Sequence, residues 1–148
     1  VNLVTSDGDG GWAGFAATAV CSVTDTPPTL LVCIQHKSSA YEAVLRNNVL
    51  CVNVLGSSHR RLATLFGGKT PANDRAAASD WLRLETGAPV LPEARAAFDC
   101  VISQRIAVGS HDVLICEVKA MATGAPHEGS LLYMDREFHD LTVRATGS

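Results

Sequence analysis

The chain has 148 residues, a formal net charge of −3, 47% hydrophobic residues and 18% charged ones. A length inside the usual span of about 100–200 residues fits one domain, and so apolar a composition excludes a disordered chain. No apolar run reaches the roughly 20 residues of a membrane helix, and no basic block offers a nucleic-acid surface, so neither partner is expected.

Taken in chain order, the sequence opens at Val1 inside an apolar run, Val1-Asn2-Leu3-Val4-Thr5. This suggests that upstream residues, and any targeting segment among them, are missing. Short runs rich in Val, Leu, Ile, Thr and Cys predict strands over residues 1–5, 20–24, 29–34, 50–55, 98–108, 113–121 and 130–134. The breaks at Pro27-Pro28 and Gly109-Ser110 are sharp, and the stretch from Phe98 to Met121 reads as one long antiparallel hairpin. Helices are predicted over residues 40–47, started by Ser38-Ser39, over 59–66 with Leu62, Leu65 and Phe66 on one face, and over 75–82. Strands and helices do not alternate as a doubly wound parallel sheet requires. The fold class is therefore mainly β: an antiparallel β-barrel with a few short helices over its openings.

The five cysteines, Cys21, Cys33, Cys51, Cys100 and Cys116, form no CxxC pair, and four lie in apolar runs. They read as reduced thiols of a cytoplasmic protein. The five histidines, His36, His59, His111, His127 and His139, lack metal-ligand spacing, so no metal is expected. Gly8-Asp9-Gly10-Gly11-Trp12-Ala13 matches the dinucleotide fingerprint G-x-G-x-x-A, but Ser6-Asp7 separate it from the strand it would have to follow. Asp7 and Asp9 would repel a pyrophosphate, and a hairpin turn accounts for the segment better. Ala63-Thr64-Leu65-Phe66-Gly67-Gly68-Lys69-Thr70 matches a relaxed P-loop pattern, but the residues before the glycines look helical and Pro71 follows Thr70 at once. Its amides and one cation could still grip a single phosphate. Gln35-His36-Lys37-Ser38-Ser39 ends a strand and opens a helix, which fits either ordinary capping or an anion site. Residues 14–24 are small and apolar, suited either to tight sheet packing or to a flat ligand. His111, at a hairpin junction, is either a turn residue or a ligand contact.

Eight segments in this order resemble the flavin reductase family with the FMN-binding split barrel: Val4-Thr5-Ser6-Asp7-Gly8, Ala13-Gly14-Phe15, Ala19-Val20-Cys21-Ser22-Val23-Thr24-Asp25, Pro27-Pro28-Thr29-Leu30-Leu31-Val32-Cys33, Cys51-Val52-Asn53-Val54-Leu55, Leu65-Phe66-Gly67-Gly68-Lys69-Thr70, Phe98-Asp99-Cys100 and Gly109-Ser110-His111-Asp112. The resemblance covers nearly the whole chain, residues 1–148 then being a single flavin reductase-like domain without the family's N-terminal helix. Within the family it is most similar to the NADH:FMN reductases of pyrimidine utilisation, and also to the reductase component of 4-hydroxyphenylacetate 3-monooxygenase.

The resemblance implies a homodimer that passes hydride from NADH or NADPH to N5 of FMN, or of FAD, and supplies reduced flavin to a partner monooxygenase. It places Ala16, Ala17, Thr18 and Ala19 against the isoalloxazine, with Ser22 and Val23 further along it. It assigns His36, Lys37, Ser38, Ser39, Gly68 and Lys69 to the phosphate side, His111 to catalysis near the nicotinamide, and Phe138, with Tyr133, to the border of the site. Hydride transfer needs no nucleophile, so the absence of a hydrolase motif is no objection. Departures from the family pattern are Ala16 where Thr is common, Thr18 where Ser or Asn is common, and Ala76 where Phe is expected after Arg75. The alternative reading is a split-barrel protein that binds flavin without turnover; a triphosphatase using Lys69 is a third.

Overall fold

The computed structural model describes residues 1–124 and 129–142; His127 lies outside the described residues. Seven strands form one antiparallel sheet in the order β2-β1-β5-β8-β9-β4-β3. They are β1 (Asn2–Ser6), β2 (Ala13–Ala17), β3 (Val20–Asp25), β4 (Pro28–Gln35), β5 (Val49–Val54), β8 (Ala96–Val108) and β9 (His111–Thr123). The two edge strands, β2 and β3, are neighbours in sequence, separated only by Thr18 and Ala19. A sheet whose outermost strands are joined by two residues must curl until its edges meet at that corner. This is the antiparallel barrel the sequence predicts, split between β2 and β3.

The hairpin of β8 and β9 turns at Gly109, whose φ of 57° lies in the left-handed region that glycine tolerates. Smaller pairs are β6 (Leu82–Arg83) with β7 (Pro89–Val90), and β10 (Ser130–Met134) with β11 (Glu137–Leu141). The helices are α1 (Tyr41–Asn47), α2 (Arg60–Gly67), which follows a 3-10 turn at Ser57–His59, and α3 (Ala72–Ala76).

Neighbouring strand residues point to opposite faces, and here both faces are covered at the centre. Leu3 and Val4 of β1 are both fully buried. Val4 joins the barrel interior with Val32, Leu50, Val52 and Leu114, whereas Leu3 faces α2 through Ala63 and Phe66. Residues 84–91 cover the second face, pinned by buried polar groups. Asn53, fully buried, donates from Nδ2 to Leu3 O (3.0 Å) and to Thr5 Oγ1 (2.9 Å), and its Oδ1 accepts the Leu91 N–H at 2.8 Å. Thr5 Oγ1 donates to Pro89 O at 2.6 Å. The carboxylate of Asp99 accepts the N–H groups of Glu85 and Thr86, each at 2.8 Å, and the Thr86 hydroxyl.

Several expectations shift. The helix predicted over 75–82 lies at Ala72–Ala76. Pro71 starts it, and the indole Nε1 of Trp81 donates to Ala76 O at 2.9 Å, closing its last turn. Ser38 and Ser39 do not cap α1: the N-cap is Ala40, without a side-chain cap bond, and Ser38 Oγ accepts the Ala40 N–H at 3.2 Å. All five cysteines are free; Cys51, Cys100 and Cys116 are buried, Cys33 is half-buried and Cys21 is exposed. Burial pushes the Cys116 thiol up to about 12 and raises Cys51 and Cys100 as well. No helix among the described residues is long and apolar enough to cross a membrane.

Because Asn53→Ala strands the buried Leu91 N–H, we expect it to lower stability by about 2–3 kcal/mol. Urea unfolding should show a lower midpoint at unchanged slope; an unchanged midpoint would contradict the pinning role.

Candidate functional site

The corner where β2 meets β3 opens into a cleft of about 710 Å3, within the range of roughly 300–1,000 Å3 typical of small-molecule sites. Its lining comes from four places in the chain. One is β2 and its link to β3, where Ala16, Ala17, Thr18 and Ala19 leave little side chain between ligand and backbone. The link is held by the Val20 N–H on Thr18 O (2.9 Å) and the Cys33 N–H on Ala19 O (3.1 Å). The second is the β4–α1 connection, with Lys37, Ser38 and Ser39; the third is the segment after α2, with Gly68, Lys69 and Thr70. The fourth is His111, the first residue of β9, whose register partner on β4 is Gln35, also in the lining. Ser110 Oγ lies 2.8 Å from His111 Nδ1.

Trp12, Phe15 and Phe66 are the aromatic residues of the lining. Trp12 and Phe66 pack around the small residues of β2. With Trp81 they form a cluster of rings whose centroids are 5.5–6.0 Å apart. Gly14 makes this possible: a Cβ there would sit 2.7 Å from Phe66 Cε2. Arg75, 5% exposed, ties two walls together. Its Nη1 donates to Gly14 O at 2.5 Å and its Nη2 to Gly68 O at 2.6 Å, while the guanidinium lies 5.7 Å from the centre of the Phe66 ring. Burial lowers its pKa from the usual arginine value. The lining therefore carries three cations, Lys37, Lys69 and Arg75, and among its described residues no carboxylate. In a chain of net charge −3, such a lining favours an anionic ligand. No cluster of His, Cys, Asp and Glu among the described residues could hold a metal.

The structure brings ten of the fourteen residues singled out from the sequence to this cleft: Ala16, Ala17, Thr18, Ala19, Lys37, Ser38, Ser39, Gly68, Lys69 and His111. The other four lie elsewhere. Ser22 and Val23 are exposed on the edge strand β3, past the link. His36 turns away from Lys37, and its Nε2 donates to Asp112 Oδ1 at 2.8 Å. Phe138 packs on Tyr133 across the β10–β11 hairpin, centroids 5.1 Å apart. Trp12, Phe66, Gln35, Cys33 and Arg75 line the cleft but were not singled out. Arg75 belongs to the family pattern, but only the fold shows that its charge is buried and lines the cleft.

The family profile described as "Flavin reductase like domain" matches residues 1–142. The chain belongs to the flavin reductase family. Among its relatives, the FMN reductase (NADH) RutF of Variovorax paradoxus is 53% identical over 143 residues, 97% of this chain and 79% of that protein. An FMN reductase (NADH) RutF 1 of Methylorubrum extorquens is 55% identical over 141 residues, 95% of this chain and 70% of that protein. Among solved structures, BorF, the flavin reductase component of a bacterial two-component tryptophan halogenase, superposes with a TM-score of 0.88 at 25% identity, covering 97% of this chain and 90% of that one. This chain shares the fold of that solved flavin reductase, and its own strands form the split barrel.

Arg75→Met, which removes both backbone ties, should lower stability by about 1–3 kcal/mol and speed amide exchange over residues 67–70. Exchange at the unmodified rate would show that Arg75 does not hold that segment.

Proposed function

We propose that this chain is an NADH-dependent FMN reductase whose reduced flavin serves a partner monooxygenase. One observation carries the reading to this cleft: in a flavin reductase, a small-residue floor, aromatic walls and three cations without a carboxylate share one opening of about 710 Å3. The lining fits flavin mononucleotide, with a flat apolar surface for a ring system and donors for a phosphate. Bound flavin supplies the hydride acceptor, and nicotinamide the donor.

The chain's own residues bind and orient. Ala16, Ala17 and Ala19 end at Cβ, so a ring can lie close to backbone amides, which would stabilise negative charge. Thr18 adds one hydroxyl at the corner. Lys69 and Lys37, with the hydroxyls of Ser38, Ser39 and Thr70, hold the phosphate. Trp12 and Phe66 keep water from the ring. His111 has Nδ1 against Ser110 Oγ, so Nε2 is the atom available to nicotinamide or flavin.

The chain acts as a homodimer. Support comes from apolar side chains left exposed on the β10–β11 hairpin and on β3: Met134 at 61%, Val23 at 50% and Tyr133 at 49%. It works in the cytoplasm, a reducing compartment that suits five free thiols.

The deciding experiment is the initial rate of NADH oxidation by the pure protein with FMN, FAD, riboflavin or no flavin, and the same set with NADPH. NADH oxidation that saturates with FMN is the result expected. Tight flavin binding without oxidation would replace the reductase with a binding protein. His111→Ala should slow oxidation roughly 10–100-fold through lost orientation. Lys69→Ala should weaken FMN about tenfold and barely affect riboflavin, which lacks the phosphate; equal weakening would contradict the phosphate role. FMN should also shield Cys33 from alkylation, because Cys33 lines the cleft, while leaving exposed Cys21 reactive.

A further inference from the structure

The loop that brings Lys37, Ser38 and Ser39 to the cleft is anchored behind it. A second cavity, of about 270 Å3, is lined by His36, Tyr41, Arg105, Ala107 and Asp112. Asp112 is 3% exposed, and each of its carboxylate oxygens accepts one hydrogen bond. His36 Nε2 donates to Oδ1 at 2.8 Å, and the Tyr41 hydroxyl donates to Oδ2 at 2.6 Å. The two donor rings also meet edge to face, with centroids 5.2 Å apart. His36 and Tyr41 are the residues on either side of loop 37–40. One carboxylate therefore holds both ends of that loop.

The other hydrogen bonds of this segment fix its shape but give little hold on the barrel. The Ser38 N–H donates to Gln35 O (3.0 Å), the Tyr41 N–H to Ser38 O (3.1 Å) and the Ala40 N–H to Ser38 Oγ (3.2 Å), all within the turn itself, and Ala40 O accepts the Val44 N–H of α1 (3.0 Å). Its ties to the β8–β9 hairpin are the His36 N–H on Ser110 O, in the turn, at 2.9 Å and the two bonds to Asp112 of β9. Asp112 follows His111 on β9, so one strand end presents His111 to the cleft and Asp112 to the clasp behind it.

We propose that Asp112 is a positioning residue that clasps both ends of loop 37–40, setting the place of Lys37, Ser38 and Ser39 relative to His111. The proposal rests on the flavin reading for what the loop binds, but not for how the loop is held. A sheet does not need a buried carboxylate at this position, and burying one is costly unless it is fully hydrogen-bonded, as it is here. The Tyr41 and His36 bonds hold the Asp112 carboxyl below its usual value, so it stays an ionised acceptor at neutral pH. An ordered loop binds without first losing its own freedom, so the clasp acts on affinity through preorganisation.

The test compares the unmodified chain with Asp112→Asn, which keeps the shape and loses the charge, and with Tyr41→Phe, which removes a single bond. Amide exchange is measured without flavin, and the dissociation constants of FMN and riboflavin are measured by flavin fluorescence. In Asp112→Asn, residues 37–40 should exchange faster while β5 and β8 do not, and FMN should weaken about tenfold with riboflavin changed much less. Tyr41→Phe should move both readouts the same way by a smaller factor, and it serves alone if Asp112→Asn does not fold. Unchanged exchange at 37–40, faster exchange throughout the sheet, or equal weakening of both flavins would each overturn the clasp. If the unmodified chain binds neither flavin, the flavin reading fails, and the exchange measurement still decides whether Asp112 holds the loop.

Discussion

The structure depends on a connection of two residues. Thr18 and Ala19 join the outermost strands of a seven-stranded sheet, so the sheet has to close on itself at that corner. Closure there leaves a barrel split where β2 and β3 part, and the split is the cleft. The same constraint explains the composition of β2. Phe15 of β2 packs on the barrel interior, but the other face of the strand, under Trp12 and Phe66, has no room for large side chains, and Gly14 sits where even a Cβ would strike the Phe66 ring. Small residues needed for closure thus also give a ligand close access to the backbone.

Around that corner the molecule uses buried polar groups as pins at places that apolar packing would leave adjustable. Asn53 and Asp99 fasten residues 85–91 over the second face of the sheet. Arg75 fastens the Gly68 segment to β2, and Asp112 fastens the ends of the β4–α1 loop. Directional bonds fix position more narrowly than hydrophobic contact does. The last two pins act on the segments that carry Lys69 and Lys37, the cations a phosphate would meet.

The strands over β-branched runs and the long β8–β9 hairpin are legible in the sequence because central strands covered on both faces read as continuous apolar runs between turn residues. β2 is not, because Ala-Gly-Phe-Ala-Ala alternates in neither polarity nor size. β11 was missed because its hairpin turns at Asp135-Arg136, both with positive φ but without the glycine or asparagine that usually announces such a turn. The third helix was placed late, since Pro71 and the Trp81 cap act through the backbone rather than through periodicity. At the site, ordered motifs located the segments but not the direction of each side chain. His36 and Lys37 are adjacent at the end of β4, and only the structure shows that one faces the clasp and the other the cleft. Arg75 stayed hidden for a related reason, as nothing local tells a buried arginine from a solvated one.

A crystal structure of the protein with FMN would show whether flavin binds at this corner of the barrel. Ring density is expected against residues 16–19, and phosphate density among Lys37, Ser38, Ser39 and Lys69. Ring density on another face of the barrel, or a phosphate placed away from both lysines, would contradict this placement.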